Sequence, residues 1–211
     1  MPALKTRGCC VHCNKDFPST GMGQHLAACL GTGPALHIAV DVGPGTWWMH
    51  LALAPSATLR HLDDFLRATW LECCGHLSGF DIGGVRFESS LGGAGEYWGA
   101  KPRSMAAKTS TVLPVGSAFG YEYDFGSTTT LRGRVIGRTP TGAAKVTLLA
   151  RNEPILWPCA TCRAPATRIC PFCGLMGCAA CKSPCGCLRD FAEESLPVVN
   201  SPRMGVCAYS G

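Results

Sequence analysis

Cysteine spacing constrains this chain more than any other feature. Fifteen cysteines occur in 211 residues, most of them in Cys-x2-Cys pairs gathered towards the two ends, with Cys73 and Cys74 between the clusters. The count is odd, and residues Met1 to Cys13 hold no apolar stretch long enough for an export signal. A disulfide framework is therefore disfavoured, and paired thiols in a reducing compartment point to metal. The chain is read as soluble and cytoplasmic, since no uninterrupted apolar run approaches the ~18 residues that a membrane span needs.

Residues 9–29 read CCVHCNKDFPSTGMGQHLAAC. Cys10, Cys13, His25 and Cys29 give the spacing Cys-x2-Cys-x11-His-x3-Cys. His25 and Cys29 are four residues apart, so a helix places them on one face to share a tetrahedral ion with the cysteine knuckle. Phe17 and Met22 stand where a ββα finger needs its small apolar core. Cys9 is an alternative to Cys10, which is preferred because it gives the two-residue knuckle.

A second module runs from Cys159 to Cys187. Its cysteines are Cys159 and Cys162, Cys170 and Cys173, Cys178 and Cys181, then Cys185 and Cys187. Eight thiolates suffice for two closed four-cysteine sites, which are structural rather than catalytic. A segment this short has little room for an apolar core, so metal must supply much of its folding free energy. Spacing leaves the ligand pairing open. A cross-brace would join the first pair with the third and the second with the fourth. Together the two modules predict about three Zn2+ per chain, with iron–sulfur clusters as the minor rival.

Metal also changes the electrostatics. The formal net charge is +5. Filling one three-thiolate site adds −1 and each four-thiolate site −2, which brings the chain to about zero. The net-charge argument for nucleic acid then disappears. The finger positions that would face bases are Pro18, Gly21 and Gln24, and only Gln24 offers a bidentate contact. Arg132, Arg134 and Arg138, at i, i+2 and i+6 of a predicted strand, form the remaining basic face.

The middle of the chain reads as α+β, mostly antiparallel sheet with one main helix. Strands are expected at Ala35–Val42 and Trp47–Leu53, joined by Gly43-Pro44-Gly45. The helix is expected at Ser56–Glu72, with Thr58 as its cap, a stripe of Leu59, Leu62, Leu66 and Trp70, and Gly75 as its stop. Gly83-Gly84 marks a hairpin within Phe80–Phe87, and 91–108 reads as loop. Further strands are expected at Thr109–Leu113, Ala118–Phe125, Leu131–Arg138 and Ala144–Ala150. His37 and His50 read as sheet histidines rather than ligands. The domains are thus 1–34 (finger), 35–155 (core) and 156–211 (cysteine-rich zinc module and tail), with the core expected to fold independently of the finger.

The middle segment resembles the plasmid pRiA4b ORF-three-like family. The resemblance rests on Thr58-Leu59 and Leu62 within the helix segment and on Tyr121-Glu122-Tyr123-Asp124-Phe125-Gly126, and covers roughly residues 35–155. The family's run usually continues with an acidic residue, Trp and His, where this chain has Ser127-Thr128-Thr129-Thr130. The chain is similar to a zinc-bearing branch with cysteine pairs after the core and an ending like the one from Asn200 to Tyr209. The resemblance implies a plasmid- or transposon-associated accessory protein and no established reaction.

Chemistry beyond zinc is sparse. Asp124 beside Tyr121 and Tyr123 reads as a strand or turn carboxylate before it reads as an acid–base group. Cys73-Cys74 with His76 hints at a nucleophile, although packing at a helix end is the simpler reading. Cys207 is either a spare ligand for the second module or a buried free thiol. Gly92-Gly93-Ala94-Gly95 lacks the lysine of a phosphate loop. The leading functional expectation is a non-catalytic zinc-binding adaptor with a protein partner and no membrane association. A nucleic-acid-associated accessory protein of mobile elements, binding weakly and non-specifically, is the alternative, and an uncharacterised enzyme is the third reading.

Overall fold

The computed structural model describes residues 6–43, 46–89, 101–181 and 185–211. The chain divides into two units, one of residues 1–67 and 77–153, the other of 68–76 and 154–211. The predicted glycine loop at 92–95 and the centre of the 43–45 turn lie outside the described residues.

The first unit is built on a ten-stranded sheet. Its strands in chain order are β1 (Arg7–Cys10), β2 (Asp16–Pro18), β3 (Ala35–Asp41), β4 (Trp48–Leu53), β5 (Ser78–Ile82), β6 (Val85–Glu88), β7 (Arg103–Ser104), β8 (Ala118–Tyr123), β9 (Thr129–Thr139) and β10 (Val146–Asn152). They lie in the order β2-β1-β10-β4-β3-β9-β8-β5-β6-β7. Every neighbouring pair is antiparallel except β6 and β7. The fold is the mostly antiparallel α+β arrangement expected from the alternation of apolar residues.

Helix α1 (Ser19–Leu30) and helix α2 (Leu59–Leu66) are the longest helices. The hydroxyl of Thr58 accepts from the amide of His61, and the His61 ring closes the capping box on the Thr58 amide. Leu59, Leu62 and Leu66 are fully buried, each contributing on the order of 1.5–3 kcal/mol of apolar transfer. The helix then widens into a π turn over Arg67–Leu71, so the stripe continues to a buried Trp70 by a different winding from the one its spacing predicts. Asp63, also fully buried on α2, accepts from Tyr121 (2.8 Å) and from Ser78 (2.6 Å). The first tyrosine of the YEYDFG run thus fastens β8 to α2 by its hydroxyl as well as its ring.

Several expectations need correction. Thr109–Leu113 is not a strand. Its β-branched residues form the short helix α3 (Thr109–Val112), because the Thr109 amide and hydroxyl both donate to the Ala57 carbonyl and anchor the turn there. Strand β8 ends at Tyr123. Asp124 has a positive φ of 64°, and its carboxylate accepts from the Gly126 amide (3.0 Å). The strand expected to run to Phe125 stops short of it, and Phe125 is 44% exposed.

Arg132, Arg134 and Arg138 do not share a face. A one-residue register shift in the β3–β9 ladder opposes Arg132 to Asp41 and Arg134 to Ala39, but Arg138 to Leu36. Leu36 and Asp41 have opposite parity along β3, so the bulge carries Arg138 to the other side of the pleat. On β9 the side chain at 133 must be absent: a Cβ there would lie 2.0 Å from the Phe119 ring.

His37 and His50, on β3 and β4, are buried and meet at 3.0 Å between Nε2 and Nδ1. Burial pushes His37 down to about 4. Burial, with the neighbouring His37 adding to it, pushes His50 down to about 3. Both rings are neutral near pH 7, and in the unfolded chain they take up protons below about 6.5. Unfolding therefore binds protons from about pH 6.5 downwards, and stability falls as the pH is lowered towards 4. Between pH 7 and 5 the pair should cost on the order of 3–4 kcal/mol. Urea midpoints of parent and His50→Gln at the two pH values test this. Acid release of metal is common to both proteins, so the smaller pH effect expected in the variant isolates the histidine pair; equal slopes would refute it.

Candidate metal centres

Three segments share one backbone turn. In the first, the Cys10 amide donates to the Lys15 carbonyl (3.0 Å) and the Asn14 amide donates to the Cys10 carbonyl (2.8 Å). The same i to i+5 and i+4 to i pattern recurs at Cys159 with Ala164 and Arg163, and at Cys170 with Leu175 and Gly174. The fifth residue of each turn has positive φ: Asn14 at 58°, Arg163 at 65° and Gly174 at 71°. Asparagine and glycine tolerate that region; arginine does so at a cost, which requires the surrounding structure to hold it. Each turn presents two cysteines, three residues apart, on one side of a tight loop.

The first knuckle lies between β1 and β2, and α1 completes its ligand set. Cys10, Cys13, His25 and Cys29 bring their ligand atoms within 4.8 Å of one another. Cys13 Sγ is 3.3 Å from His25 Nε2. Strand parity selects Cys10 over Cys9: Cys10 lies opposite Ala150 on β10 and joins Met22, Leu26 and Trp48 in one apolar cluster. Phe17 stacks on His25 with centroids 4.1 Å apart. Both apolar residues expected for the finger core, Phe17 and Met22, are therefore in that role.

The finger is not a separate body. Strand β1 pairs with β10 through Gly8, Cys9 and Cys10, and Met22 and Leu26 of α1 pack with Trp48 and Ala150 of the sheet. A Cβ at Gly23 would approach Ile136 at 3.2 Å and His50 at 3.5 Å. The expectation of a core indifferent to the finger gives way to a shared sheet.

In the second unit the cysteines interleave. Cys159, Cys162, Cys178 and Cys181 form one cluster, and Cys170, Cys173, Cys185 and Cys187 the other. This is the crossed pairing of first with third and second with fourth. The ladder between β11 (Arg168–Ile169) and β12 (Met176–Gly177) brings the arms together, and β13 (Leu196–Pro197) adds a third strand. A short helix, α4 (Phe191–Glu194), is capped by Asp190, which accepts from the amides of Ala192 and Glu193. Phe191, Leu188 and Cys170 form the small apolar core.

The thiols of each cluster do not titrate alike. Amides of Cys162 and Thr161 aimed at Cys159 lower it to about 6. Cys170 is opposed by desolvation, but the amides of Cys173 and Phe172 bring it down to about 7. Their partners resist ionisation beside these sulfurs: Cys181 is pushed up to about 12, first by its contact with Cys162, and Cys187 to about 12, first by Cys173. In the finger, burial raises Cys29 to about 11, whereas the Lys15 amide lowers Cys13. Four sulfurs this close hold protons between them unless a cation takes the protons' place. The donor sets, all thiolate or thiolate with imidazole, suit zinc rather than a hard cation.

The structure also gathers residues that spacing did not connect. Cys73, Cys74, His76 and Cys207 lie in a fourth cluster whose ligand atoms fall within the same 4.8 Å. Cys207 is exposed, not buried. The Cys-Cys-x-His run was visible in the sequence, but its fourth member is 131 residues beyond His76. Among the described residues no helix is long and apolar enough to cross a membrane.

No family model matches the chain, and no curated protein matches it. A solved structure of a protein of unknown function from Methanosarcina mazei Go1 is similar at a TM-score of 0.44 and 17% identity. The match covers 55% of this chain and 66% of that one, so this chain spans slightly less than two thirds of that protein.

Because the finger belongs to the sheet, Cys13→Ser should loosen more than the finger. Amide exchange is expected to rise in β1, α1 and β10, with little change in β5, β6 and β8. Cys173→Ser should deprotect β11 and β12 while leaving β10 as in the parent. Exchange measured by mass spectrometry on metal-loaded protein checks both, and a Cys13→Ser variant with unaltered β10 protection would contradict the coupling.

Proposed function

We propose that this protein is a non-catalytic binding protein whose contact surfaces are shaped by structural zinc. The observation that carries the reading is the completeness of the ligand sets. Cys10, Cys13, His25 and Cys29 supply four donors from the chain itself, as do both four-cysteine clusters. Catalytic zinc keeps a coordination position for water or substrate; a four-donor set closes it. Zinc here sets shape.

That shape supports protein contact. The knuckle tips carry large apolar residues outwards: Val11 is 58% exposed and Phe172 77% exposed. Leu175, beside the Cys170 knuckle, is 41% exposed. Apolar side chains held out by a metal-fixed turn lose little conformational freedom on binding, which favours their use as anchors. On the sheet, a groove of about 410 Å³ runs between α1 and the strands, lined by Thr20, Gly23, Ala39, Trp48, His50 and Ile136.

The nucleic-acid reading has less behind it. Arg132 is paired with Asp41 at 3.5 Å, Arg138 is on the opposite face, and Met22 and Leu26 of the finger helix are committed to its own sheet. A helix packed in this way offers Gln24 but not a full reading face. Membership of the plasmid pRiA4b ORF-three-like family, with a role on mobile elements, belongs to this alternative reading.

Pulldown with zinc-loaded protein, with and without nuclease, tests the proposal. Capture of a defined protein partner is expected to survive nuclease treatment and to fall at least tenfold in Phe172→Ser, with the metal content unchanged. Capture abolished by nuclease, or sequence-selective duplex binding at ~10⁻⁸ M in physiological salt, would favour the accessory protein of mobile elements.

A further inference from the structure

We propose a fourth zinc site, formed by Cys73, Cys74, His76 and Cys207, that fastens the C-terminal tail to the segment after α2. It goes beyond the three sites on which the functional reading rests, and all four ligands belong to the second unit.

The geometry is that of a tetrahedron's edges. Zinc binds sulfur at about 2.3 Å and imidazole nitrogen at about 2.0–2.1 Å, so ligand atoms around one ion stand roughly 3.5–3.8 Å apart. Cys74 Sγ and Cys207 Sγ are 3.6 Å apart, and Cys207 Sγ lies 3.8 Å from His76 Nε2. In the clusters that spacing identifies, the corresponding separations are 3.5 Å between Cys162 and Cys178 and 3.3 Å between Cys13 and His25. A sulfur–sulfur distance of 3.6 Å is far beyond the ~2.05 Å of a disulfide. Three thiolates with one imidazole repeat the donor set of the finger.

The tail is laid out to deliver its ligand. The Ser201 hydroxyl donates to the Trp70 carbonyl (2.5 Å) and accepts from the Arg203 amide (2.9 Å). Successive turns, from Met204 to Ser201, Val206 to Arg203 and Tyr209 to Val206, then fold the chain back on itself. Gly205 and Cys207 both have positive φ, 80° and 54°. A cysteine has no intrinsic preference for that region, and a metal bond accounts for its being held there.

Charge supplies an independent argument. Arg203 has no exposed surface, and its Nε donates to Cys73 Sγ at 3.3 Å. Guanidinium does not lose its proton in a protein, so burial demands negative charge nearby. A zinc ion with three thiolates would carry −1, a charge that suits the guanidinium placed against Cys73. Arg203 thus acts as a positioning residue for the Cys73 thiolate.

The test is native mass spectrometry of the full chain purified without chelator. The parent should carry four zinc ions; Cys207→Ser and His76→Gln should each carry three, while Cys207→His, which keeps a ligand, should retain four. Cobalt substitution should give the visible bands of tetrahedral thiolate coordination, reduced in Cys207→Ser relative to the parent. A parent with three ions and no loss in Cys207→Ser overturns the fourth site and leaves the other three standing, as would a chain 2 Da lighter with a Cys74–Cys207 disulfide. A parent with fewer than three ions would instead overturn the structural-zinc reading as well.

Discussion

Four sulfurs brought within hydrogen-bonding distance cannot all be thiolates unless a cation stands among them. Both four-cysteine clusters are subject to that constraint, the two clusters of three sulfurs and one imidazole share it in milder form, and the backbone around the knuckles is organised to meet it. Amides in the Cys159 and Cys170 turns point at the first sulfur and bring its ionisation to about 6 and 7. The last cysteine of each cluster is pushed the other way, Cys181 first by its contact with Cys162 and Cys187 first by Cys173. Metal entry must then displace protons. The knuckle turn is the common device, and three copies of one hydrogen-bond pattern install it.

The device serves two different ends. In the first unit an extensive sheet and the buried leucines of α2 supply apolar stabilisation, and the finger adds to one edge of it through β1. There a bound metal would tie α1 to the knuckle, while Trp48 and Ala150 already pack against Met22 and Leu26 of that helix. In the second unit the apolar core described around the crossed clusters consists of Cys170, Leu188 and Phe191, with Cys185 against it. Its strands are two residues long. Elements this short gain little from their own ladders, and the crossed ligand sets offer the tie that a bound metal would close.

Much of this was legible from residue spacing because the determinants are local. Cys-x2-Cys specifies a turn, His25 and Cys29 share a helix face, Thr58 caps α2, and Gly83-Gly84 turns a hairpin with both φ values positive. What was not legible depended on distant partners. The β-branched residues of Thr109–Val112 suit a strand, yet the Ala57 carbonyl turns them into a helix. The three arginines of β9 obey period two until a bulge against β3 shifts the register. The choice of Cys10 over Cys9, by contrast, followed from the two-residue knuckle, and the pairing of β1 with β10 agrees with it.

The histidines and cysteines of the chain show why composition alone does not identify ligands. His37 and His50 are close, buried and paired, yet their ring nitrogens face each other in an apolar setting that keeps both neutral. His76 is half-buried beside sulfurs. An imidazole pair satisfies itself by one hydrogen bond and needs no cation. An imidazole among thiols does not, because each thiolate formed raises the cost of the next. The difference is the number of ionisable sulfurs within reach, which is set by the three-dimensional path of the tail and not by the local run of residues around either histidine.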